Sequence, residues 1–253
     1  MLSSLKKNGF KYLAVEALDS RKDSILNINK YPIKSSGYYT NEPFFGHFIR
    51  EALQQGYKLV AYDDMGTENR DKTQADNIKK VLDEDPTAKI FVYAGVDHIL
   101  EKDTNQKRMA EYFTELTGIN PLTIDQVEVS YDSTNELTII ESSSFKNINK
   151  VNTGVDYFLI NNIQPSLQQV FDASELVPFI IEDTKFKSHN NKKILVSLYY
   201  ANEYSKYKSS AIPVLNKVIL GGQHYELELP NGTYFMLARD VANNLILSEQ
   251  VKL

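Results

Sequence analysis

Two residues able to do chemistry stand where apolar runs end. Glu16 directly follows Phe10 to Val15, and His98 follows Ile90 to Ala94 across Gly95. In an open α/β fold ligands bind in the crevice beyond the carboxyl ends of parallel strands, so this is where a site belongs. An imidazole exchanges a proton near neutrality and binds metal through a neutral nitrogen. A carboxylate ending an apolar strand must be either paired or functional. Together the two suit a general base and acid, or part of a hydrolytic Zn²⁺ or Mn²⁺ site. Two further apolar segments end in acids, Tyr57 to Tyr62 in Asp63-Asp64 and Leu122 to Ile124 in Asp125-Gln126, and Asp97 adjoins His98. Acidic residues in such places also cap helices and bind turn backbone, so Asp63, Asp64 and Asp125 carry both readings. Asp63, Asp125 and Tyr39, the last in the polar stretch after Glu16, are the candidate substrate contacts. Three of the four histidines read as structural or solvated: His47 on a helix between Phe44 and Phe48, His189 in a linker and His224 in a hairpin.

The elements that must position these residues follow from periodicity. Leu2, Leu5 and Lys6-Lys7-Asn8-Gly9 read as the end of a helix with an Asn-Gly stop. Phe10 to Glu16 is apolar enough for a strand covered on both faces. The polar segment up to Thr40, with Tyr31-Pro32 and Ser35-Ser36-Gly37, reads as a long excursion or lid. Pro43 opens a helix whose Phe44, Phe48, Ile49, Ala52 and Leu53 share a face until Gly56. Strand Tyr57 to Tyr62, helix Asn69 to Leu82, strand Lys89 to Ala94, helix Gln106 to Thr117 and a short segment Leu122 to Ile124 complete a β/α alternation, which implies parallel βαβ units. Tyr157 to Ile160 is assigned to the same sheet.

From Lys192 onward the pattern changes to hairpins. Ile194 to Tyr200, Val214 to Leu220, His224 to Leu229, Thr233 to Ala238 and Leu245 to Val251 are separated by Gly221-Gly222, Pro230-Asn231-Gly232 and Asn243-Asn244, as in an antiparallel sheet or small sandwich. The expected organisation is an α/β domain over 1–188, a mostly parallel sheet with flanking helices, followed by a small antiparallel β module over 189–253.

With 253 residues the chain has ample length for a core. Its net charge of −5, with the basic residues dispersed, argues against nucleic acid as a partner. No apolar run approaches the roughly 20 residues that span a bilayer. The absence of cysteine removes disulfides, thiolate metal sites and a cysteine nucleophile. There is no G-x-S-x-G elbow, H-E-x-x-H pair or phosphate-cradling glycine loop. The partner expected is therefore a small-molecule or peptide substrate.

Three segments resemble the erythromycin-esterase-like group, part of a wider set with the haem-binding ChaN-like lipoproteins and the Tiki/TraB proteases. Phe10-Lys11-Tyr12-Leu13-Ala14-Val15-Glu16-Ala17 resembles the strand leading to that group's active-site glutamate. Asn69 to Ile78 resembles its arginine-aspartate helix start, and Asp85 to His98 the strand presenting its late histidine. The resemblance covers about residues 5 to 126. It implies catalytic or metal-binding roles for Glu16 and His98, with Glu16 activating water directly or on a divalent metal, and an oxyanion- or carboxylate-holding role for Arg70. It also implies an earlier strand ending in Gly-Glu-x-x-His, which would precede Met1. Two cases follow: a gene product that extends upstream, exported where the extension holds a signal and cytoplasmic otherwise, or a remnant that has lost turnover. Holding haem, for which Tyr and His are suitable axial ligands and which the tyrosines around Tyr38 and Tyr39 keep open, is the alternative on the same scaffold. An interaction protein using the β module is a third.

Overall fold

Phe10–Val15 forms strand β1, and its last three residues, Leu13, Ala14 and Val15, are fully buried. A strand with no wet face needs a neighbour on each edge and cover above and below. Strands β2 (Lys58–Val60) and β3 (Lys89–Tyr93) supply the edges, both parallel to β1, in the order β2-β1-β3. Leu13 is in register with Leu59 on one side and Phe91 on the other. Helix α1 (Leu2–Lys7) precedes β1, and its Leu2 carbonyl accepts the Tyr57 hydroxyl at 2.7 Å.

The computed structural model describes residues 1–19, 23–102, 105–130, 136–148, 151–163, 171 and 175–253. They form two units, Met1–Ile25 with Gln55–Gln164, and Leu26–Gln54 with Pro165–Leu253, so no single cut in the sequence separates them. Among the described residues no helix is long and apolar enough to cross a membrane.

In the first unit, a helix we number α4 (Arg70–Glu84) joins β2 to β3. Asn69 caps its start by accepting the Lys72 N–H at 3.1 Å, and Gln74, Ala75, Ile78 and Val81 recur every three or four residues on its buried face. Helix α5 (Met109–Thr117) stops at Gly118, which takes the left-handed φ of 72° that a side chain would resist. Ala75 and Ile78 of α4 and Met109, Tyr112, Phe113 and Leu116 of α5 pack with Ala14 and Tyr62 in one cluster, the cover over one face of the sheet.

The expected fourth and fifth strands of this sheet lie elsewhere. Strand β4 (Ile124–Asp125) pairs parallel with β6 (Tyr157–Asn161), and β5 (Leu137–Glu141) pairs antiparallel with β6, as a separate sheet in the order β4-β6-β5. Burial explains the difference: along β6 only Phe158 and Ile160 are buried, alternate residues of a one-faced strand. Phe158 builds its own small core with Leu100 and Val155.

In the second unit, the five hairpin-like runs become β8 (Lys193–Tyr200), β9 (Leu215–Leu220), β10 (Tyr225–Pro230), β11 (Thr233–Arg239) and β12 (Leu245–Lys252). Four form an antiparallel sheet in the order β12-β11-β8-β9. The fifth, β10, pairs antiparallel with β7 (Leu176–Ile181), which the sequence reading does not include. Gly221-Gly222 therefore leads from one sheet to the other instead of closing a hairpin. Phe179, Ile181 and Leu229 of the small sheet share a core with Ile194, Val196, Leu198, Ile219, Tyr234 and Met236 of the large one.

Helices α2 (Asp23–Asn29), α3 (Pro43–Gln54) and α6 (Ala201–Tyr207) complete the elements. The expected polar excursion thus contains a helix, anchored by the buried Leu26; its residues 20–22 lie outside the described residues. On α3 Ile49, Ala52 and Leu53 are buried as expected, but Phe44 is exposed, and the buried face includes Arg50. Arg50 is bound by α6: its Nε and Nη2 donate to the two carboxylate oxygens of Glu203 at 2.8 and 2.7 Å, and Nη2 also donates to the Ile212 carbonyl at 2.8 Å.

Candidate functional site

All three strands of the parallel sheet release polar residues at the same rim. Glu16 is the first residue past β1, Asp63 lies three past β2, and His98 sits in the single 3-10 turn Val96–Ile99 that follows β3. The central strand β1 has its sequence neighbour β2 on one side and β3 on the other, which makes this rim the switch point where an open sheet leaves a crevice. The turn carrying His98 is fixed at both ends. Its His98 N–H donates to the Gly95 carbonyl at 3.1 Å, and Leu100 is buried against Val155 and Phe158.

Glu16 is held by two strong donors. Its Oε2 accepts the Gly95 N–H at 2.5 Å and its Oε1 accepts Arg70 Nη2 at 2.6 Å. Gly95 leaves room for that approach: a Cβ there would stand 3.2 Å from Glu16 Oε2, and the carboxylate would have to give by a few tenths of an ångström. Arg70, the first residue of α4, is in turn clamped by Asp63: Nε to Oδ1 at 2.7 Å and Nη2 to Oδ2 at 2.8 Å. Gln74, one turn on, donates to Asp63 Oδ1 at 2.7 Å. The Asp63 side chain, only 8% exposed, thereby accepts three hydrogen bonds, which offset the cost of withdrawing its charge from water. It serves to aim Arg70. Among the described residues Arg70 Nη1 has no partner, so this partly exposed guanidinium keeps a free donor.

The His98 ring lies between two carboxylates. Nδ1 is 2.7 Å from Asp71 Oδ1, and Nε2 is 3.5 Å from Glu16 Oε1. Asp71 Oδ1 also accepts the Met109 N–H at 2.9 Å, and Arg108 Nη1 lies 4.0 Å from Asp71 Oδ2.

These contacts set the charge states. Burial alone would raise the Glu16 pKa, but the His98 ring, the Gly95 N–H and Arg70 outweigh it and hold it at about 2. Burial works against the His98 imidazolium, yet Glu16 and Asp71 more than compensate and raise its pKa above the ordinary value. Hydrogen bonding to Asp63 and Glu16 raises that of Arg70 despite burial. Tyr62, buried beneath Glu16 and Asp63, has its phenol pushed well above the usual range by burial and by those two charges.

The remaining candidates lie apart. Asp125 belongs to the other sheet of this unit, so it is not at the rim; it accepts the Val127 and Glu128 N–H groups at 2.6 and 3.0 Å, the turn-binding alternative. Asp64 likewise binds its own turn through the Gly66 N–H. Tyr39 belongs to the second unit, where its exposed ring packs edge-on to Phe45. Gln74 and Gly95 are site residues that sequence reasoning does not single out, and Asp71 enters it only within the arginine-aspartate helix start, without a role. Their signals are weak: an acid and an amide in the first turns of a helix are commonplace, and a glycine after a strand reads as a turn.

As a site for a divalent cation the arrangement is poorly matched. A guanidinium occupies the Glu16 oxygen that faces Nε2, and among the described residues no three His, Asp or Glu side chains converge as a metal-holding group. Comparison with protein-family models, with curated proteins and with solved structures gave no match.

Proposed function

We propose that the first unit is a hydrolase of the erythromycin-esterase-like kind, acting on an ester, lactone or peptide bond, with His98 as the proton-carrying group. The observation that supports it is the His98 ring at the rim of the parallel sheet, its Nε2 facing the Glu16 carboxylate at 3.5 Å. The three segments that carry the family resemblance bring Glu16, Arg70 and His98 into one contact network.

The charge states decide the division of labour. A base works best when its pKa lies near the operating pH; Glu16, held at about 2, is too weak a base to take a proton from water at neutrality. His98, an imidazole whose pKa Glu16 and Asp71 raise from its ordinary value against the effect of burial, is the proton-exchanging group of the pair. In the reaction His98 Nε2 takes a proton from the attacking water and returns it to the leaving group, while Glu16 stabilises the imidazolium formed between those steps. The free Nη1 donor of Arg70 is suited to the oxyanion of the tetrahedral intermediate. The haem-holding alternative rests on Tyr38 and Tyr39 of the second unit and takes no support from this network.

The test is a panel of activated esters, lactones and peptides assayed with the wild type, His98→Ala and Arg70→Met, each checked for retained far-UV circular dichroism. Wild-type turnover that falls at least ~10²-fold in His98→Ala is expected. Equal rates in wild type and His98→Ala, or no turnover of any substrate class by the wild type, would overturn the proposal.

A further inference from the structure

We propose that Asp71 is a positioning residue that fixes the His98 imidazole in the Nδ1–H form, leaving Nε2 as the unprotonated atom turned toward Glu16. Three observations carry this. Asp71 Oδ1 lies 2.7 Å from His98 Nδ1, a distance at which an ionised carboxylate accepts and only an Nδ1–H can donate. The same oxygen accepts the Met109 N–H at 2.9 Å, so a second donor on another helix fixes its position relative to the ring. Among the described residues the charged groups at the ring are Asp71 at Nδ1 and Glu16 at Nε2, with the bare Gly95 beside Cδ2 and Arg108 Nη1 4.0 Å from Asp71 Oδ2.

The sequence places Asp71 second in α4, where an acid ordinarily serves the helix dipole. Here its side chain instead ties the start of α5 and the turn after β3 to the start of α4. A histidine side chain free in water favours the Nε2–H form, which would present a donor to Glu16 and leave the ring's lone pair on Nδ1, turned against the Asp71 carboxylate. Holding the opposite tautomer is what converts a buried imidazole into a base. The role in turnover rests on the hydrolase reading above, but the tautomer itself does not.

The experiment is a ¹⁵N-labelled wild type examined by long-range ¹H–¹⁵N correlation at a pH where His98 is neutral, with the His98 signals assigned from their loss in His98→Ala. Asp71→Ala and Asp71→Asn are compared with it. The wild type should show Nδ1 protonated and Nε2 bare. Asp71→Ala should shift the ring toward the Nε2–H form, and Asp71→Asn, whose amide oxygen still accepts, should restore Nδ1–H. With a substrate in hand, Asp71→Ala should lower kcat at least tenfold with KM within about twofold, the conservative variant falling between. A wild-type ring protonated at Nε2, or an Asp71→Ala ring that stays Nδ1–H, would overturn the proposal. A wild type that shows the Nδ1–H ring and turns over nothing would sink the hydrolase reading alone.

Discussion

Replacing Glu16 by Gln tests the electrostatics of the rim without altering its shape. An amide oxygen still accepts the Gly95 N–H, but the charge opposite Arg70 and His98 disappears. Glu16 falls from an ordinary 4.5 to about 2 on folding, which at about 1.4 kcal/mol per pH unit corresponds to ~3 kcal/mol of stability. The side chain is only 21% exposed, so solvent screening removes little of this. A carboxylate with a depressed folded pKa contributes fully above its unfolded value and loses that contribution as pH falls through the folded one. The stability gap between wild type and Glu16→Gln should therefore be about 3 kcal/mol near pH 6, fall to roughly half of that at pH 3 and close below pH 2. His98 has the opposite sign: its raised pKa contributes stability below its ordinary value, lost as pH rises through the folded one. The gap is thus widest between about pH 4.5 and 6.5 and narrows again in the alkaline range. Urea unfolding at each pH, followed by far-UV circular dichroism and tyrosine fluorescence in this tryptophan-free chain, measures it. Hydrogen exchange in peptides covering β1 and β3 assigns the transition to the first unit. A gap that is the same at pH 3 and pH 6, or below ~1 kcal/mol at pH 6, would refute the reasoning.

Arg50→Met should destabilise the second unit by ~3–5 kcal/mol, because it strands the buried Glu203 carboxylate, while Arg50→Met with Glu203→Leu should recover most of that loss. Thermal or urea midpoints decide, and a single variant costing under ~1 kcal/mol would contradict the buried pair. Gly95→Ala inserts a methyl 3.2 Å from Glu16 Oε2 and should push the carboxylate a few tenths of an ångström along its N–H donor, lengthening that bond, lowering stability by up to ~1 kcal/mol and raising the Glu16 pKa seen by carboxyl NMR. Asp125→Ala should cost ~1 kcal/mol through the lost Val127 and Glu128 N–H bonds and leave any hydrolytic rate unchanged. A clear drop in kcat would return Asp125 to the substrate contacts.

What could be read in the sequence was what repeats along it. β1, α4 and the five C-terminal strands are long or strongly patterned, and their positions follow from burial period and turn residues. Glu16 and His98 were legible because a polar group after an apolar run has few structural uses. Asp71 was visible only as half of an arginine-aspartate helix start; its role was not, since its partner lies 27 positions away and an acid in a first helical turn is ordinary. The same limit hid β7, whose Pro178 argues against a strand until its pairing with Glu228 of an equally short neighbour is seen. Tyr157 to Ile160 was placed in the wrong sheet because a short apolar run reads alike whether one face or two are covered.

The bidentate link from Arg50 to Glu203 joins side chains 153 positions apart. At about 5–20 residues per second, a ribosome delivers the second roughly 8–30 s after the first. The first unit has all its strands by residue 164, but α3 must wait, carrying a cation that belongs in an interior and the bare flank of Ile49 and Leu53. In that interval α3 exposes both, the kind of surface that invites misassociation in a growing chain. A chain stopped near residue 188 would leave it in that condition permanently.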